Sequence, residues 1–137
     1  VGSAAEGVGV AGGAMDMTVD YLKQRKQFGK VIGEFQALQH RAAHLYSEVE
    51  IARAVTVKAA QLVDGGSERA DLMASVAKAK VAKVAGLAVR EGVQMHGGIG
   101  MTDEYDIGLY MKRDRALQEF LGDQYYHAGR VAELSGY

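Results

Sequence analysis

Glu34-Phe35-Gln36-Ala37-Leu38-Gln39-His40-Arg41-Ala42-Ala43-His44-Leu45-Tyr46-Ser47-Glu48-Val49, continuing unbroken to Val63, is the stretch that decides the fold. Within it Phe35, Leu38, Ala42, Leu45, Val49, Ala52, Val55, Ala59 and Leu62 follow one another in steps of three and four. That spacing lays them along one narrow stripe of a helix. Thirty helical residues extend roughly 45 Å, and so narrow a stripe on so long a rod suits lengthwise packing in a bundle.

The flanking sequence extends the same pattern. Asp64-Gly65-Gly66 stops the helix, and Ser67 followed by Glu68 suits the cap and first turn of the next. That next helix is expected from about Ser67 to His96 and is rich in alanine. Its Lys78, Lys80 and Lys83 read as a solvated face rather than a phosphate site, because nothing else basic gathers beside them. Upstream, a helix from about Ser3 to Lys26 carries Gly7, Gly9, Gly12 and Gly13, each weakening it by about 1 kcal/mol. Such glycines make sense if that face meets another backbone closely. Gly7 through Gly12 also spells GxGxxG, but no apolar strand precedes it and no β-α-β pattern follows, so a dinucleotide fingerprint is rejected.

Downstream, Gln94-Met95-His96-Gly97-Gly98-Ile99-Gly100-Met101-Thr102-Asp103-Glu104-Tyr105 interrupts helix-forming sequence with three glycines in four positions. A helix from about Asp103 to Phe120 and a last one from about Asp123 to Leu134 complete the chain. No strand alternation appears. The expected architecture is all-α: a single domain over residues 1–137, an up-and-down four-helix bundle of long helices with a short extra C-terminal helix.

Composition narrows the function. Sixteen basic against seventeen acidic residues leave a net charge of −1, which gives no electrostatic case for nucleic acid or anionic membrane. No apolar run reaches the length of a membrane span. The absence of cysteine removes disulfides, thiolate catalysis and zinc-thiolate sites, and suits a cytoplasmic protein. No signal peptide is visible, and a start at Val1 rather than methionine fits a piece of something longer. Zero prolines against eighteen glycines point to long helices punctuated by glycine. His40 and His44 share a helical face at the spacing of a zinc pair, but without a third ligand a polar bundle surface is the simpler reading, and no metal is expected. Tyr105, Tyr110, Tyr125 and Tyr126 are expected to pack on the bundle with wet hydroxyls.

Two segments carry chemistry. In Arg25-Lys26-Gln27-Phe28-Gly29-Lys30-Val31-Ile32-Gly33-Glu34-Phe35-Gln36, Gly29 breaks the helix, and Arg25 and Gln36 stand at the two ends of the connection. A guanidinium there can hold a phosphate bidentately, and a glutamine can read an amide edge or a ribose. The plainer reading is a basic residue complementing a helix dipole. In the second segment Gln94, Gly97 and Gly98 suit either a backbone-close ligand contact or a simple C-cap turn.

Together the two segments resemble the acyl-CoA dehydrogenase family, specifically its C-terminal helical domain. R-x-x-F-G-x-x-I-x-x-F-Q from Arg25 to Gln36 looks like one of its motifs, and Q-x-x-G-G-x-G-x-x-x-E-Y from Gln94 to Tyr105 looks like the other. The resemblance covers essentially the whole chain. It implies a bundle that tetramerises and contacts FAD held mainly by a neighbouring subunit. Arg25, Phe28 and Gln36 would meet the pyrophosphate and adenosine end, with Gln94, Gly97 and Gly98 as backbone-close contacts. It implies an oxidoreductase of fatty acid metabolism that desaturates acyl-CoA thioesters at the α,β position. An electron-transfer flavoprotein would be the acceptor. The family's N-terminal helical domain and middle β domain have no counterpart in this chain.

The resemblance fails at one point. Many members place their catalytic glutamate in a Glu-Gly-Thr segment, and counting from Gly97-Gly98 puts that position at Leu121, followed by Gly122 and Asp123. Anchoring on Arg113-Asp114 puts it at Gly122. Neither side chain takes a proton, so the chain alone is expected to be inactive. Asp123 is a candidate for a displaced base, but its plainer role is the N-cap of the final helix. In other members the base comes from the first long helix, at a position that would fall just before Val1. The tail from Leu121 to His127 resembles the small subunit of two-subunit, pimeloyl-CoA-type dehydrogenases. That likeness implies a heterotetramer as the alternative to a homotetramer. The rival reading from another class is a structural assembly module that binds no flavin.

Overall fold

The computed structural model describes residues 1–137 as a helical bundle. Its helices are α1 (Gly2–Gln24), α2 (Gln36–Asp64), α3 (Ala70–His96), α4 (Ile107–Glu119) and α5 (Gln124–Leu134). Two strands, β1 (Lys26–Gln27) and β2 (Lys30–Val31), form a small antiparallel hairpin between α1 and α2. The expectation of no strand is corrected here. Lys26–Gln27 and Lys30–Val31 are too short to show alternation, and the turn between them creates the pairing.

The stripe on α2 does what its spacing requires. Leu45, Val49, Ala52 and Ala59 are fully enclosed, and Phe35, Leu38, Ala42 and Val55 pack half-buried beside them. Facing them are Ala4, Val10, Ala11, Ala14 and Met15 of α1, and Ala77, Val81, Val84, Ala85, Ala88 and Val89 of α3. Small alanine and valine side chains let these helices approach closely. α3 lies in the middle, packed against α1, α2, α4 and α5. Ile107 and Leu117 close the core from α4.

The glycines of α1 face side chains rather than another backbone. A Cβ on Gly7 would lie 2.5 Å from Val81 Cγ1, and one on Gly13 would lie 2.7 Å from the Tyr110 ring. The GxGxxG run lies wholly inside α1, with no strand before it.

Three further expectations are revised. Ser67 does not cap α3, because the stop signal of α2 uses it. With Gly66 at φ 60, Gly66 N–H donates to Val63 O and Ser67 N–H donates to Leu62 O, the Schellman pattern. α4 is short, because Thr102 draws the chain after it into a turn. Its hydroxyl donates to Ile99 O at 2.8 Å and accepts from Glu104 N–H at 3.3 Å. Lys78 is not on a solvated face: it is 6% exposed, and its Nζ donates to Leu117 O at 2.7 Å. A helix surrounded on all sides has no free face at that level; Lys83, by contrast, is exposed. Tyr105 and Tyr110 pack on the core, whereas Tyr125 and Tyr126 stand largely in solvent.

Lys80 pairs with Glu48 across α3 and α2 at 2.7 Å, and this hydrogen bond holds the Glu48 carboxyl below its usual range. A depressed folded-state pKa stabilises above the unfolded value of 4.5 and loses that stabilisation as pH falls through the folded value. Glu48→Gln is therefore expected to lower the thermal midpoint at neutral pH and to leave it unchanged in strong acid. Equal shifts at both pH values would show that the pair contributes nothing.

Candidate functional site

The site forms where the C-terminal end of α1, the hairpin, the start of α2 and the end of α3 meet. Arg25 closes α1 in extended conformation, with its N–H donating to Tyr21 O. The chain then turns back through Phe28 and Gly29, both at positive φ (56° and 79°). A two-residue connection with both central residues in that region is the type I′ hairpin turn, and it holds the Phe28 ring out at 89% exposure. Ile32 N–H donates to Arg25 O at 2.8 Å and ties the hairpin to the helix end. Leu22, Ile32 and Met95 form a small separate core beneath it.

Above that core lies a cleft of about 550 Å³. Arg25, Phe28, Gln94, Gly97 and Gly98 all line it, so five of the six residues singled out for cofactor contact converge on one cleft. Gln36, the first residue of α2, is exposed and does not belong to the wall. Gly97 stands at φ 68°, ψ −145°, a backbone region open essentially to glycine alone. It turns the chain sharply out of α3 into a short 3-10 turn over Gly97–Met101.

Sequence reasoning missed Tyr21, Arg41 and His96, which also line the cleft. Tyr21 lies one helical turn before Arg25, a spacing that places it on the same face. Arg41 carried no such signal, since only folding brings it opposite Glu91, whose carboxylate accepts from its Nε at 2.6 Å. His96 lies within the glycine segment and is 4% exposed. Its Nδ1 donates to Gly92 O at 2.7 Å, so the neutral ring carries a bare lone pair on Nε2, which has no partner. The ring stacks on Tyr21 at 4.3 Å and meets Tyr105 edge-on at 5.1 Å.

Two guanidinium groups, a glutamine amide, flat aromatic faces and side-chain-free backbone at Gly97-Gly98 together suit a flat ring joined to phosphates. The walls fit such a group without rearrangement of the core.

The region of the expected base is separate from this cleft. Leu121 is exposed, at φ 63°, followed by Gly122 at φ 96°. Asp123 is the N-cap of α5: its Oδ1 accepts from Tyr125 N–H at 3.0 Å and Tyr126 N–H at 2.8 Å. Its carboxylate is thus engaged as a cap. Asp114, which sequence reasoning did not single out, is 5% exposed. Burial pushes its carboxyl up, against the hydrogen bond donated by Gln118 at 2.7 Å. Burial likewise pulls the Lys78 ammonium down. His40 and His44 face solvent, and no cluster of three metal-ligating side chains forms. No helix is long and apolar enough to cross a membrane.

Residues 1–135 match the family model described as the acyl-CoA dehydrogenase C-terminal domain. The acyl-CoA dehydrogenase IpdE2 of Mycolicibacterium smegmatis is 42% identical over 119 residues, covering 87% of this chain and 36% of that protein. Among solved structures, butyryl-CoA dehydrogenase from Megasphaera elsdenii superposes with a TM-score of 0.93 at 30% identity, over 98% of this chain and 35% of that one. The FAD complex of PigA superposes with a TM-score of 0.90 at 25% identity, over 97% and 34%. The chain spans about a quarter to a third of the length of the relatives it matches. With the helical order, the two motif segments and the family match in agreement, the chain belongs to the acyl-CoA dehydrogenase family, in the region of its C-terminal domain.

Proposed function

We propose that this chain is the FAD-contacting and oligomerising domain of an acyl-CoA dehydrogenase-like flavoprotein that desaturates acyl-CoA thioesters at the α,β position. The observation that supports this most directly is the convergence of Arg25, Phe28, Gln94, Gly97 and Gly98, from two distant segments, on one cleft. FAD, when bound, supplies the two-electron acceptor. The protein's own residues bind and orient it. Arg25 pairs with the pyrophosphate, the exposed Phe28 ring offers a stacking face, and the bare backbone at Gly97-Gly98 lets the adenosine end approach. Gln36, outside the cleft wall, is left free to contact the cofactor from across a subunit boundary. The cofactor is held mainly by a neighbouring subunit, and Tyr46, Ile51 and Val57, exposed on α2, provide apolar surface for that assembly.

Leu121 takes no proton and Asp123 is committed to its cap, so the base that removes the α-proton comes from elsewhere in the assembly. A heterotetramer, with the base on the other subunit, accommodates this directly; a homotetramer requires a base outside these residues. An electron-transfer flavoprotein is the proposed acceptor.

Arg25→Ala is expected to weaken FAD retention about 10- to 100-fold, the loss of a charge-assisted contact. Visible flavin absorbance after gel filtration of the purified, FAD-supplemented protein measures it. Protein that stays colourless with FAD yet forms stable oligomers would instead establish the structural assembly module.

A further inference from the structure

A second cavity lies at the opposite end of α1 from the cleft. Ser3 and Tyr21 are 18 residues apart on that helix, roughly 27 Å along its axis. The cavity holds about 120 Å³ between α1, α3 and α5, and Ser3, Asp71, Lys78, Leu121, His127 and Arg130 line it. Its volume corresponds to roughly four waters, the size of a short organic acid.

Three of its polar groups are incompletely satisfied. The Lys78 ammonium is 6% exposed and has one recorded acceptor, Leu117 O, for three N–H groups. The nearby Asp114 carboxyl, itself buried and taken by Gln118, is a poor counter-charge. Ser3 Oγ is shielded from water and has no partner. His127 Nε2 donates to Leu121 O at 2.8 Å, so in the neutral ring Nδ1 carries the lone pair, and that buried atom also has no partner. Each such group costs about 1–3 kcal/mol when left unpaired, and three on one cavity wall is more than chance packing requires.

We infer that this cavity binds a short carboxylate carrying a neighbouring hydroxyl group. The ammonium and the Ser3 hydroxyl donate to the carboxylate oxygens, and Arg130 adds a second positive charge. A lone pair on His127 Nδ1 demands a donor, which a bare carboxylate lacks and an adjacent hydroxyl provides. Asp71 on the same wall disfavours a second negative charge, so a monoanion is selected over a phosphate dianion. The inference goes beyond the flavin reading and stands or falls separately from it.

The test is titration of the isotopically labelled protein with glycolate, acetate and inorganic phosphate at constant ionic strength, following the Ser3 amide and the His127 ring nitrogens. Glycolate is expected to give saturable shifts with an affinity about five- to tenfold above acetate, the difference of one hydrogen bond. Lys78→Met should weaken glycolate more than about tenfold. Ser3→Ala, a surface-near change that leaves the core intact, should weaken it about threefold and carries the test if Lys78→Met does not fold. Equal affinity for acetate and glycolate, tighter binding of phosphate, or no saturable shift would overturn the inference. Because flavin absorbance does not enter this measurement, its failure leaves the cleft at the other end of α1 untouched.

Discussion

Leu45→Ala is expected to destabilise the protein by about 3–5 kcal/mol, the upper part of the range for deleting a buried leucine. Leu45 is 1% exposed and sits where α2 meets α1 and α3. Its neighbours are largely alanine and valine on helix backbones already in contact, so there is little slack for collapse into the void. For a domain whose total stability is of the order of 5–15 kcal/mol, that loss is a large fraction. Leu109→Ala on α4 serves as the control. Leu109 is mostly exposed, and its truncation should shift stability by no more than about 0.5 kcal/mol. Chemical denaturation of the two variants decides the matter. Comparable midpoints would mean that the α2 stripe does not hold the bundle together.

The second large effect is expected in the glycine segment, where three neighbouring positions should respond differently to the same Ala substitution. Gly97→Ala meets no atom within 4 Å, yet its φ of 68° with ψ −145° is closed to a residue with a Cβ. The cost there is torsional, about 1–3 kcal/mol, and relief of it would re-aim the turn that forms the cleft wall. Gly100→Ala is the reverse case. Its φ is ordinary, but the new Cβ would lie 2.8 Å from Val93 O and 2.9 Å from His96 Cβ, and a backbone oxygen cannot rotate away. A cost of about 1–3 kcal/mol is again expected, with disturbance of the His96 ring. Gly98→Ala has open space and no positive φ, so it should be nearly neutral for folding. Thermal unfolding of the three variants separates torsion from overlap. A destabilised Gly98→Ala, or a neutral Gly97→Ala, would contradict this account of the turn.

The long helices were legible because burial and periodicity agree along them. On α2 the stripe from Phe35 to Leu62 needed only the 3.6-residue repeat, and Asp64-Gly65-Gly66 ended it within a residue of the observed stop. Starts were harder to read than stops. Ser67 has the right side chain for a cap, but its backbone N–H was already committed to Leu62. Local preference for either role is similar, and the hydrogen bond of the preceding helix decides between them. The hairpin at Lys26–Val31 escaped detection because two-residue strands carry no period, and its stability comes from the turn and from the Ile32 to Arg25 bond.

By itself the sequence determined the helical class, the approximate helix limits and the two segments that bear the family resemblance, because these follow from local spacing and from glycine's special torsions. It also determined that Leu121 takes no proton, a matter of residue type alone. The tertiary structure decided which faces are dry and which residues meet. It placed Arg41 against Glu91, buried Lys78 inside a surrounded helix, left Gln36 outside the cleft and committed Asp123 to a cap. Those outcomes depend on helices distant in sequence packing at one place, and a one-dimensional periodicity carries no term for where a helix's neighbours will be.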